Sequence, residues 1–256
     1  MTIAIDDLLQ QGLELHQAGE LDAAAALYQQ VLEHAPEHPD AWHLIGLIHF
    51  SQGDMQAAMN SIQRAIASNS SNAVFHFNLG NVHRASDDFN TAISAFRAAI
   101  ALQPDEPDYH NNLGDALECM GDLESARESY QQALALSPDD AELYFNLGNV
   151  YRGLGHGDEA REAYHHAIEL EPEYLPAQIA LADILAGQGE YDLACVHYER
   201  ALGLAPQEVG LWLDLGGLLQ RIGQRDRAMQ CFQQALVLDP QDARALNNLG
   251  GLHQSM

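Results

Sequence analysis

The stretch "HFNLGNVHR" at residues 76–84 returns as "HNNLGDALE" at 110–118, as "YFNLGNVYR" at 144–152 and as "LNNLGGLHQ" at 246–254. The first three copies begin 34 residues apart, and the fourth begins three such steps later. With residue 5 as position 1, seven full units follow without insertion: 5–38, 39–72, 73–106, 107–140, 141–174, 175–208 and 209–242. A partial eighth occupies 243–256. A fixed period of this length is the signature of a repeat array, in which each unit buries its apolar face only against its neighbours.

The register assigns each position a task. Position 8 is glycine in every unit except the sixth, which has Ala182. Position 20 is alanine from Ala24 to Ala228 in all seven full units, and position 27 is Val31 and then alanine. Position 7 is a large aliphatic residue from the second unit onward, and position 24 is Tyr28, Ile62, Phe96, Tyr130, Tyr164, Tyr198 and Phe232. Positions 20, 24, 27 and 28 form the i, i+4, i+7, i+8 stripe of an amphipathic helix. Glycine at position 15 suits a helix end in the left-handed conformation, and Asp87 replaces it in the third unit. Proline at position 32, missing only at Ser70, stops the second helix. Each unit therefore reads as helix, tight turn, helix, turn. Gly157, where most units carry an apolar residue, predicts a looser turn in the fifth.

Composition narrows the partners. The chain has no lysine, and its 11 basic residues, all arginine, face 37 acidic ones for a net charge of -26. Phosphate-backbone binding needs cations that release counterions, so this charge argues against nucleic acid as a partner, and against anionic membrane with it. A basic protein is permitted and would be steered in. Cys119, Cys195 and Cys231 are too few and too scattered for a disulfide framework, and read as reduced, packed cysteines of a cytoplasmic protein. The start "MTIAIDDLLQQ" lacks the basic and apolar regions of a signal peptide, and no stretch reaches the roughly 20 apolar residues that membrane insertion needs.

These residues resemble the tetratricopeptide repeat family. Trp42, Ile45 and Gly46, like Trp212, Leu215 and Gly216, carry its leading Trp-x-x-Leu-Gly motif, and "YFNLGNVY" at 144–151 is close to its consensus. The resemblance covers residues 5–256 and implies an all-α fold: a right-handed α-solenoid, or superhelix, of seven helix-turn-helix repeats plus one extra helix. It also implies a concave wall lined by the first helices. The first unit has Gln11 at position 7, polar as suits a cap, whereas Leu246, Leu249 and Leu252 stay apolar at the other edge. That edge raises the expectation of a longer parent chain or of self-association through the last helix.

The Leu-Gly half of the opening motif has a packing reason; the asparagines do not. Asparagine inside a helix costs up to ~0.7 kcal/mol against alanine, yet its amide offers one donor group and one acceptor. Position 6 brings Asn78, Asn112 and Asn146, and position 9 brings Asn81, Asp115 and Asn149. A peptide backbone presents the complementary groups. Phe77, Tyr109 and Phe145 stand near enough in sequence to shelter such contacts, and Arg84 and Arg152 at position 12 can meet a carboxylate. This ladder is similar to the one in the repeat arm of O-linked N-acetylglucosamine transferases, where the resemblance implies a grip on substrate backbone. Leu44, Ala180 and Asp214 interrupt it here. The competing reading makes the asparagines a consensus feature that satisfies nearby turns.

Catalytic chemistry finds no support. The 13 histidines include no His-x-x-x-His pair with a carboxylate on one helix, and read as polar surface residues rather than metal ligands. Without lysine there is no phosphate-binding Gly-Lys-Ser/Thr loop. Cys119 has no identifiable base, and the paired aspartates 87–88 and 139–140 fall in turns. The sequence thus predicts a non-enzymatic interaction scaffold without cofactor, binding an extended peptide or partner helix. The alternative is the substrate-recognition arm of a larger enzyme of glycosyltransferase type.

Overall fold

A computed structural model describes residues 5–254, and all regular structure among them is helical. The chain forms two compact units, Met1–Ser137 and Pro138–Met256. The first holds α1 (Ile5–Gln17), α2 (Leu21–His34), α3 (Pro39–Ser51), α4 (Met55–Ser68), α5 (Ala73–Ala85), α6 (Phe89–Leu102), α7 (Pro107–Cys119) and α8 (Leu123–Leu136). The second holds α9 (Ala141–Gly153), α10 (Gly157–Leu170), α11 (Leu175–Gly187), α12 (Tyr191–Leu204), α13 (Val209–Arg221), α14 (Arg225–Leu238) and α15 (Ala243–Gln254). Odd-numbered helices start at position 1 of the register and even-numbered ones at position 17. Within each unit a helix packs on the next in sequence, which makes both α-solenoids of helix-turn-helix repeats.

The small residues of the register let the two helices of a hairpin close. A methyl group added at Gly80 would stand 2.5 Å from the Phe96 ring, and one at Gly148 would stand 2.5 Å from the Tyr164 ring. The position-24 side chain thus lies flat against the backbone of the first helix, where any Cβ would overlap it. Alanine at position 20 is fully buried in all seven hairpins. Ala182 takes the glycine's place opposite Tyr198, and nothing in the structure explains how that hairpin accommodates the methyl.

The turns follow one design. Glycines at position 15 have φ between 77° and 83°, and Asp87 adopts φ 59° in their place. In both versions the following amide bonds back to the first helix, Glu20 to the Leu15 carbonyl at 2.9 Å and Asp88 to that of His83 at 2.9 Å. The turn before Gly157 is not looser. Gly155 has φ 80° like its equivalents, and α10 begins at its usual place, because the left-handed residue sets the turn and position 17 only packs against it. Acidic turn residues cap helices: Asp54 accepts the Ala57 amide at 2.9 Å and Asp140 that of Glu142 at 2.9 Å.

Candidate functional site

In the first unit the successive first helices α3, α5 and α7 form one wall, with positions 6 and 9 of neighbouring repeats facing each other. Asn112 donates Nδ2–H to Asn81 Oδ1 at 2.8 Å. Both are half-buried. Asn78 is engaged differently, donating Nδ2–H to His43 Nε2 at 2.8 Å. His43 is buried and its ring lies 4.7 Å from that of Phe75. Loss of hydration pulls its pKa down to about 4, only partly opposed by the Asp40 charge, so the imidazole is neutral and can accept. One donor of Asn78 is therefore spent on a core contact.

Position 9 obeys a rule set by position 24. Tyr130 donates its hydroxyl to Asp115 Oδ1 at 2.8 Å and to Glu118 Oε2 at 3.1 Å. Tyr164 donates to Asn149 Oδ1 at 2.9 Å, and Tyr198 donates to Asp183. Burial and the adjacent carboxylates raise the Tyr130 phenol far above its ordinary range, so it remains a donor. Where position 24 lacks a hydroxyl, position 9 is Leu47 against Ile62 or Gly217 against Phe232. Tyr28 breaks the rule: position 9 of its hairpin is Leu13, and its buried hydroxyl has no partner among the described residues. Asn81 breaks it the other way, because Phe96 asks nothing of it.

The other expected residues sort accordingly. Asp115 also meets Arg84 Nη1 at 3.4 Å. Phe77 is half-buried, 4.7 Å from the Tyr109 ring and 5.8 Å from that of Phe96. Tyr109 is a correction: at 4% exposure it belongs to the core beside Ala73 and Ala99, because position 3 faces inward from the second repeat onward, as Ala41, Phe75 and Leu143 also show. In the second unit Asn149 accepts from Arg152 Nη2 at 3.5 Å as well as from Tyr164. Phe145 packs 5.8 Å from Tyr164 and edge-on to Tyr174 at 5.5 Å. Asn146 is half-buried with an interaction of its own. Three of the expected residues, Asn81, Arg84 and Asn112, line a cavity of about 470 Å³ together with Phe50 and Ala85.

Sequence reasoning missed the role of position 4. Trp42 donates its indole N–H to the Pro36 carbonyl at 2.8 Å, and Trp212 to that of Pro206 at 2.9 Å. His76 reaches Ser70 at 3.0 Å, His110 reaches Pro104 at 2.8 Å, and Gln178 reaches Pro172 at 2.9 Å. The signal was present, a side-chain N–H six residues after the turn carbonyl in five units. The histidines are not all surface residues: His34, His156, His165 and His166 are exposed, but His43 and His83 are buried, and His76 and His110 tie turns. Cysteines divide too, with Cys195 and Cys231 buried and Cys119 exposed rather than packed.

A chain whose hairpins repeat every 34 residues around a glycine, an alanine and a large apolar side chain has the build of an interaction scaffold, since stacked hairpins expose long surfaces. Family models described as tetratricopeptide repeat match residues 9–73, 141–174 and 185–249, and one described as TPR repeat matches 80–121 and 119–155. The chain belongs to the tetratricopeptide repeat family. No curated protein sequence matches it. Among solved structures it is similar to MamA, with 25% identity and TM-score 0.61 over 63% of this chain and 95% of that one. It is similar in fold to the C-terminal part of a TPR repeat-containing protein from Cytophaga hutchinsonii, with 15% identity and TM-score 0.81 over 94% and 99% of the two chains. YrrB, described as a TPR protein with an unusual peptide-binding site, shares the fold at 19% identity and TM-score 0.63 over 74% and 98%. Among the described residues no helix is long and apolar enough to cross a membrane.

Proposed function

We propose that this protein is a non-catalytic scaffold that holds an extended segment of a protein partner against the wall of first helices, centred on Asn81, Arg84 and Asn112. The observation that carries the reading is the cavity of about 470 Å³ onto which these three open. The bond between the two amides uses one group of each. The Asn81 Nδ2–H and the Asn112 Oδ1 have no partner among the described residues, and a peptide carbonyl and amide complement them. Each such bond contributes only ~0.5–1.5 kcal/mol, so Phe50 and Arg84 must add apolar area and charge. Asn146, Asn149 and Arg152 hold the equivalent register positions in the second unit. The description of YrrB lends the reading an analogy.

Selection of a random peptide display library on the wild-type protein, followed by affinity measurement, tests this. Asn81→Ala with Asn112→Ala should weaken the selected peptides at least tenfold while the melting temperature stays within a few degrees. Undiminished affinity in that variant would place peptide binding elsewhere.

A further inference from the structure

The ring at position 4 has a second neighbour besides the turn carbonyl. In the second repeat the guanidinium of Arg64, at position 26 on α4, lies over the Trp42 indole 4.5 Å from the ring centre. In the fifth repeat His166 holds position 26, and its ring lies 5.4 Å from that of Tyr144. The seventh repeat has the indole without the cover. Trp212 is fixed by the same bond to a turn carbonyl, but position 26 is Gln234, and no cation stands over the ring among the described residues. A cavity of about 630 Å³ lies there instead, lined by Trp212, Leu215, Leu219, Cys231, Glu199 and Gln234 among others.

We propose that this cavity receives the guanidinium of an arginine side chain from a partner protein, laid over the Trp212 indole as Arg64 is laid over Trp42. The protein thus contains both an occupied and an open copy of one site. An indole face attracts a cation through its quadrupole, and the attraction grows where water is excluded. A guanidinium suits the place better than an ammonium, because it is flat and more weakly hydrated. The lining does not oppose it. Arg227 also borders the cavity but is held by Glu199 and, at 2.6 Å, by Gln224. Burial pushes the Cys231 thiol up to about 11, which keeps it uncharged. The net charge of -26 draws basic partners toward the surface. This site is separate from the asparagine cavity and does not depend on it.

The test makes Trp212 the only indole by Trp42→Phe and follows its fluorescence during titration with an acetylated, amidated hexa-arginine peptide, using hexacitrulline as the neutral counterpart. The arginine peptide should give a saturable change that citrulline does not. Adding Gln234→Arg supplies a guanidinium from within and should weaken the response at least tenfold, although one added charge barely alters the overall field. In the mirror experiment, Trp212→Phe with Arg64→Gln opens the Trp42 site and should create a response that Trp212→Phe alone lacks. The Asn81→Ala, Asn112→Ala pair should leave the Trp212 response unchanged. Equal responses to both peptides, no loss on Gln234→Arg, or no gain in the mirror variant would overturn the proposal.

Discussion

Residues 81 and 112 in the first compact unit and residues 183 and 214 in the second hold the same two places of the repeat, filled with different chemistry. The first pair is two amides joined by a bond of 2.8 Å. The second is two carboxylates, neither of which can donate to the other when ionised. Asp183 takes its hydrogen bond from Tyr198 instead. Burial first, and then the charge of Asp183, raise the pKa of Asp214, with Arg244 opposing. The difference teaches that the polar layer of the wall varies freely while the layer beneath it does not. Leu113 and Leu215, one residue after each position-6 side chain, are both buried.

If that separation is right, the largest effects come from the layer the two regions share. Leu113→Ala and Leu215→Ala should each cost ~2–5 kcal/mol as core cavities, and urea unfolding that found one of them neutral would end the equivalence. Next comes acid. His43 and His197 each have a pKa lowered to about 4 from 6.5, so the unfolded chain takes up the proton first. Their contribution to stability is complete above pH 6.5 and is lost as pH falls toward about 4. For buried His43 the loss is at most ~3 kcal/mol. Urea unfolding at neutral and acid pH should show His43→Gln losing less stability between the two than the wild type. Gly80→Ala should cost ~1–3 kcal/mol through overlap with Phe96, whereas Ala182→Gly at the equivalent place should not stabilise by a like amount. Asp214→Asn should act least. Its folded pKa is raised, so the ionised form disfavours the fold above the unfolded value of 3.8. Because Asp214 loses only part of its hydration and more than a third of its surface stays exposed, the variant should gain only a few tenths of a kcal/mol at neutral pH. That gain should vanish in acid, where a pH series of thermal melts would detect it.

The fold was legible because its determinants are steric and periodic. Gly80, Ala92 and Phe96 recur with their equivalents wherever two backbones meet, and a fixed period exposes such recurrence in a single chain. The wall was harder to read, because a polar side chain at a surface position serves either a ligand or the protein itself. Asn81 and Asn149 look identical in sequence, and only the residue fifteen places later separates them: Phe96 leaves the amide to others, while Tyr164 claims it. Tyr109 misled for a related reason, since an aromatic ring beside an asparagine ladder looks like shelter whichever way it points. Position 4 escaped notice because Trp, His and Gln share no class in a hydropathy reading, and only the N–H they have in common predicts their shared bond.

That bond also has a direction. The carbonyl belongs to the turn that ends one hairpin, and the donor to the first helix of the next. On a ribosome the acceptor therefore exists before its donor emerges, and each latch can close once a single turn of the new helix has formed. A hairpin latched in this way can therefore be added to the one before it without any completed part having to reopen.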